Sequence, residues 1–178
     1  MWAAARRVAR HAGISILGAL LASPAAADAS LEYKVKAAYL AKFIPFITWP
    51  DGTFASATAP VTICVLGDGP FGGTLDQAAA AGKSGDRAIT VRHVSAPDAG
   101  CQLLFLGEGG EGAADALRVK PVVTVTDSGV TPPGVISFIV AENHVRFDID
   151  DAAAAADNIK ISSKLLELAQ AVRRRSAP

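Results

Sequence analysis

Apolar positions along this chain change their period several times, and each change marks an element. From Ser30 onward, Leu31, Val35, Ala38, Leu40, Phe43, Ile44 and Ile47 recur at helical spacing, with Glu32, Lys34, Lys36 and Lys42 as the charged positions among them. The pattern predicts a helix over 30–47 with Ser30 as its N-cap. It should end or kink just before Pro45, which has no N–H for an intrahelical bond. An apolar run at 61–66 predicts a strand, followed by a short helix over about 71–81. Alternation over 88–94 predicts a second strand. Residues 101–106 are continuously apolar, as a central strand buried on both faces would be.

A short helix over 111–118 and a fourth strand over 121–127 follow. Residues 134–150 read as a hairpin turning at Glu142-Asn143. The chain closes with a helix from about Asp151, through Leu165, Leu166 and Leu168, to Val172. Strands alternating with helices imply an α/β fold: a single-domain layered sandwich, its mixed β-sheet flanked by helices, with a C-terminal hairpin and closing helix. No internal repeat is present.

The first residues change the picture from fold to compartment. Arg6, Arg7 and Arg10 form a basic segment, residues 12–22 a short apolar one, and Ala25-Ala26-Ala27 supply small residues for a cleavage site. Residues 1–27 therefore read as a secretory signal peptide, leaving a domain over 28–178. The apolar run is shorter than the ~20 residues a membrane span needs. No later stretch is long and uncharged enough to insert after cleavage. Cleavage removes three arginines and no acid from a chain with 17 basic and 17 acidic residues, so the remaining net charge is about −3. With no basic stripe, nucleic acid is an unsuitable partner.

In an exported protein the two cysteines, Cys64 and Cys101, are expected to pair as a disulfide; the alternative is two buried free thiols. Other apparent motifs lose their chemistry on inspection. The run Gly67-Asp68-Gly69-Pro70-Phe71-Gly72 matches the glycine fingerprint of dinucleotide sites, following a strand and opening a helix. Yet Pro70 removes a cradling N–H, and the second strand ends in Val91-Arg92-His93-Val94 without the acid that holds a ribose. A tight turn with Pro in the first helical turn is the plainer reading. Gly67, Asp68, Gly69 and Gly72 remain a weak candidate for ligand binding.

Asp148, Asp150 and Asp151 lack the glycine and glutamate of a calcium loop, since Ala153 and Ile159 stand there. Asp150 fits a helix N-cap and Asp151 the first turn. His93 and His144 have no ligand spacing, and Ser162-Ser163-Lys164 lacks the S-x-x-K order. No metal, cofactor or catalytic constellation results.

Six stretches in order (39–50, 63–72, 101–107, 122–129, 136–150 and 159–169) make the chain resemble the YfiR-like (YfiR/HmsC) periplasmic proteins. The resemblance covers essentially the whole of 28–178. It implies a regulator rather than an enzyme, one that binds the periplasmic sensor region of an inner-membrane diguanylate cyclase and holds it inactive, lowering cyclic-di-GMP and biofilm formation. It also implies that Cys64 and Cys101 are the family's paired cysteines. Some relatives carry a second pair toward the C-terminus, which is absent here. An alternative partner is a histidine kinase or other membrane receptor, with this chain as a small-ligand sensor and the 67–73 loop as its ligand site. The aromatic stretch at 43–49 is mainly core. Phe43, Phe46, Ile47 and Trp49 are the candidates for contact with a partner or with a second copy.

Overall fold

The structure is a computed structural model that describes residues 24–67, 69–113, 115–117 and 120–175. Residues 1–23, most of the expected signal peptide, lie outside the described residues, as does Asp68. Helix α1 (Pro24–Phe43) begins earlier than Ser30 and ends where Pro45 requires. A single 3-10 turn (Ile44–Phe46) leads into the two-residue strand β1 (Ile47–Thr48).

The face that α1 buries differs from the expected one. Lys36, Ala37, Leu40, Phe43 and Ile44 point inward, whereas Leu31 is 60% and Val35 36% exposed. The apolar count alone placed Lys36 outside. In the fold it is 1% exposed, because Asp127, just after β6, meets it with a carboxylate in place of water.

The main sheet is built from β2 (Val61–Leu66), β3 (Lys83–Ser84), β4 (Arg87–Val94), β5 (Leu103–Leu106), β6 (Val123–Thr126), β7 (Ile136–Ala141), β8 (His144–Asp150) and β10 (Val172–Arg173). Its order is β10-β8-β7-β6-β5-β2-β4-β3. The central strands β4, β2, β5, β6 and β7 run parallel, with antiparallel pairs at β7–β8 and β3–β4. Strand β5 is buried at all four positions, as its unbroken apolar run predicted. Glu142 and Asn143 both have positive φ (50° and 61°), the mirror-image turn that suits a two-residue hairpin, and Ala141 pairs with His144 across it.

The two faces of the sheet are covered unequally. On one face α1, α2 (Thr74–Ala81) and the C-terminal elements bury Ile63, Val65, Leu103, Phe105, Val125 and Phe138 in the larger core. On the other, Leu104, Leu106, Leu117 and Val122 close over the disulfide. Cys64 on β2 and Cys101 just before β5 are joined, with Cα atoms 5.8 Å apart. Arg92 lies beside the two sulfurs, and its guanidinium is ion-paired to Asp98 at 2.7 Å.

Two expected helices are absent from the described residues. Over 111–118 there is a single 3-10 turn at Asp115–Leu117, since Gly112 has a φ of 76° that no α-helix contains. The closing helix is broken into α3 (Asp151–Ala156), β9 (Lys160–Ile161) and α4 (Ser163–Leu166). Asn158 adopts the left-handed conformation (φ 58°), and the N–H groups of Asn158 and Ile159 return to the carbonyls of Ala155 and Ala154. That bonding is a Schellman cap, which ends α3. Beyond α4 the chain is drawn alongside β8 as β10, with Gln170 N–H on the carbonyl of Phe147. Asp150 caps α3 as expected, accepting from the N–H of Ala153 at 2.8 Å.

Candidate functional site

The sequence 49–53 builds the most distinctive surface. Trp49 leaves β1, and Pro50-Asp51-Gly52-Thr53 then turns sharply: Gly52 has φ 83° and the N–H of Thr53 returns to the carbonyl of Pro50. A positive φ at the third position is what a type II turn requires of its glycine. The turn swings Phe54 back onto Trp49, edge to face with ring centroids 5.9 Å apart. Arg87 completes the corner. Its guanidinium lies 3.9 Å from the Phe54 ring centre, and its Nη1 donates to the carbonyls of Ser56 and Ala59 at 2.8 and 2.7 Å.

Trp49 itself is anchored by its indole N–H, which donates to the Gln102 carbonyl at 3.2 Å. Strand β1 is held by antiparallel pairing with β9, Ile47 opposite Ile161. Together these residues line an open groove of about 500 Å³ between Ile47, Trp49, Asp51, Phe54, Val61 and Arg87. Such a groove offers an aromatic floor beside one exposed carboxylate, that of Asp51.

Of the four expected contact residues, the fold separates one from the rest. Phe43 is a core residue, 1% exposed and packed on Tyr39, Phe138 and Phe147. It contributes no surface, because Pro45 ends the helix only after Phe43 has turned inward. Ile47 and Trp49 are largely buried but present edges to the groove, and Phe46 is half-buried. Phe54 and Arg87 were not anticipated: neither lies in the aromatic run, and only the Gly52 turn brings them to it.

The glycine loop occupies a second notable position. The chain crosses from β2 to β4 on one side and later to β5 on the other, so the carboxyl ends of β2 and β5 flank a topological switch point. Gly67, Gly69 and Gly72 all have positive φ there. At Gly69 a Cβ would meet Val65 at 2.4 Å, so the loop folds back hard on β2. Phe71 fills the space beneath it, against Phe105 at 4.7 Å and Tyr33 at 5.7 Å between ring centres. Helix α2 starts only at Thr74, so Pro70 precedes the helix rather than occupying its first turn.

Beside this loop lies a polar network that the sequence did not reveal. Lys36 is ion-paired with both Glu32 and Asp127, and the hydroxyl of Tyr33 donates to Asp127 Oδ2 at 2.8 Å. Burial, reinforced by that hydrogen bond and the Asp127 charge, pushes the Tyr33 phenol well above its ordinary range. His93 bonds the Gly67 carbonyl at 3.0 Å and His144 the Glu142 carbonyl at 2.7 Å. Asp148, Asp150 and Asp151 take Ala171 N–H, Arg173 and Arg175 respectively.

Comparison with known protein families gives a match over most of the chain. The profile of a family described as YfiR/HmsC-like aligns with residues 33–170, from the middle of α1 to the approach of β10. No curated protein matches.

Proposed function

The chain belongs to the YfiR/HmsC-like family, and on that premise we propose that it is a periplasmic regulator that restrains an inner-membrane diguanylate cyclase. The carrying observation is the extent of the match, which takes in nearly every described element rather than one motif. In this reading residues 1–27 export the chain and 28–178 form the regulatory domain. The disulfide supports it, since such bonds persist in oxidising compartments. Among the described residues no helix is long and apolar enough to cross a membrane, in keeping with a partner that itself carries the membrane spans.

The mechanism is differential affinity. A protein that binds the inactive cyclase more tightly than the active one shifts the population without any chemistry. Moving it from 1:99 to 99:1 takes about 5.5 kcal/mol of preference, within the range of an ordinary protein interface. The contact surface is the groove of Trp49, Phe54 and Arg87, with Phe46 nearby on the chain. The alternative, a ligand sensor feeding a histidine kinase, draws less support because Phe71 fills the space under the glycine loop.

Deleting the gene in its own cell is expected to raise cyclic-di-GMP and biofilm mass. A complementing copy carrying Asp51→Arg, a change at an exposed position on the groove, is expected to fold but not to restore repression. Unchanged cyclic-di-GMP in the deletion strain would sink the cyclase reading. Full complementation by Asp51→Arg would remove the groove from it.

A further inference from the structure

The last strand of the sheet is a thin cover over a longer one. Strand β8 runs for 7 residues, and β10 pairs with it only at Ile149 and Asp150. The approach to β10 adds two bonds: Gln170 N–H donates to the Phe147 carbonyl at 2.8 Å, and Ala171 N–H to Asp148 Oδ1 at 2.9 Å. No strand lies outside His144, Val145 and Arg146 among the described residues. From Gln170 to Arg175 no residue is buried, and Val172 alone is half-buried.

Charge holds this cover down, and one pair carries most of it. Arg173 meets Asp150 at 2.7 Å, but its side chain is 75% exposed, and a pair so placed contributes little. Arg175 differs. Its Nε and Nη2 grip both oxygens of Asp151 at 2.8 and 2.7 Å, and the Asp151 side chain is only 7% exposed. A two-pronged pair of this kind is the strong form of an arginine–carboxylate contact. A carboxylate so buried is costly to strip of its cation, so whatever replaces the cover must bring a guanidinium of its own.

We infer that residues 170–175 are a displaceable cover, and that the β8 edge beneath them accepts an extended, arginine-bearing segment of another protein. The cover itself displays the chemistry required: a strand parallel to β8 with arginines at alternate positions, Arg173 and Arg175. A longer segment gains over it by adding backbone bonds along His144–Arg146, where β10 does not reach. Asp148, Asp150 and Asp151 line the edge that the cover vacates, so an acidic strand is rejected and a basic one drawn in. None of these residues lines the Trp49 groove, so the inference does not rest on the cyclase reading and stands or falls separately.

Two neighbouring amides report the cover in the intact protein. The N–H of Ile149 donates to the Ala171 carbonyl at 3.0 Å, whereas that of Asp150 donates inward to Val135 at 2.8 Å. Opening of the cover frees the first and not the second, so Ile149 should exchange at least about ten-fold faster by NMR. Arg175→Gln should raise the Ile149 rate about ten-fold further and leave Asp150 as it was. The probe for the edge is a synthetic peptide with the sequence of residues 167–175, its binding read by fluorescence anisotropy. A tethered competitor acts at about millimolar effective concentration, so the wild type should bind this peptide at least about ten-fold more weakly than Arg173→Gln/Arg175→Gln. A peptide with glutamate in place of every arginine should bind neither protein. Should the double variant fail to fold by circular dichroism, the two wild-type amides decide alone. Equal exchange at Ile149 and Asp150 overturns the proposal, and so does a folded double variant that ignores the arginine peptide or takes both peptides alike.

Discussion

Lys36 on α1 and Asp127 after β6 form an ion pair that is 1% and 8% exposed at its two side chains, and it fastens the first helix to the carboxyl end of the central sheet. Glu32 supplies a second carboxylate from one turn earlier, and the Tyr33 hydroxyl occupies the other Asp127 oxygen. Removing one partner of a buried pair is costly because the other is left without compensation. Asp127→Ala is expected to cost about 3 kcal/mol, the lower end of the usual range because Glu32 still faces Lys36. The double variant Lys36→Met/Asp127→Ala should cost less than the sum of the singles by at least about 1 kcal/mol. Urea unfolding of the four proteins checks both statements, and strict additivity would deny the coupling.

The Tyr33 phenol titrates higher in the folded chain than in the unfolded one, chiefly through burial and then through Asp127. A raised folded-state value contributes stability that is complete below the unfolded value, about 10 for tyrosine, and is lost as pH rises beyond it. Wild-type stability should therefore decline from about pH 10 upward, and Tyr33→Phe should decline less steeply over that window. Parallel slopes for the two proteins would show that the phenol is not the alkaline-sensitive group.

Closing the Cys64–Cys101 loop, with a sequence separation of 37, restricts the unfolded chain by about 4 kcal/mol on the chain-entropy account. Cys64→Ser/Cys101→Ser is expected to melt about 8–15 °C lower, and wild type in reductant should fall by a similar amount. Equal melting temperatures with and without reductant would contradict the expectation.

Asn158 ends α3 because it accepts a left-handed backbone that most side chains resist. Asn158→Ala should cost about 1 kcal/mol and Asn158→Gly should be neutral within a few tenths. A stabilised alanine variant would mean that α3 prefers to continue through this position.

How far the sequence was legible depends on what sets each element. Strands β2, β4 and β5 and the hairpin at Glu142-Asn143 could be read because burial and turn chemistry act within a few residues. The end of α1 followed from Pro45 for the same reason. Lys36 misled because its partner lies ninety-one positions away, at a strand end that no helical count can see. The closing helix misled because Leu165 and Leu168 have helical spacing while Leu168 is 68% exposed and the chain beyond pairs with β8. Phe54 and Arg87 joined Trp49 only through the turn at Gly52, whose glycine was visible but whose direction was not.

The β1–β9 pairing sets Ile47 against Ile161, on the order of a hundred residues apart, in a chain already rich in parallel, non-local strands. Synthesis proceeds from the amino terminus, so β1 waits for almost the whole chain before anything can pin it. Until then Ile47 and Trp49 lack the support that shapes the groove. A fragment ending before residue 160 would carry the aromatic floor without its frame. The groove is thus a property of a chain that has reached β9, and no shorter piece of it carries the same frame.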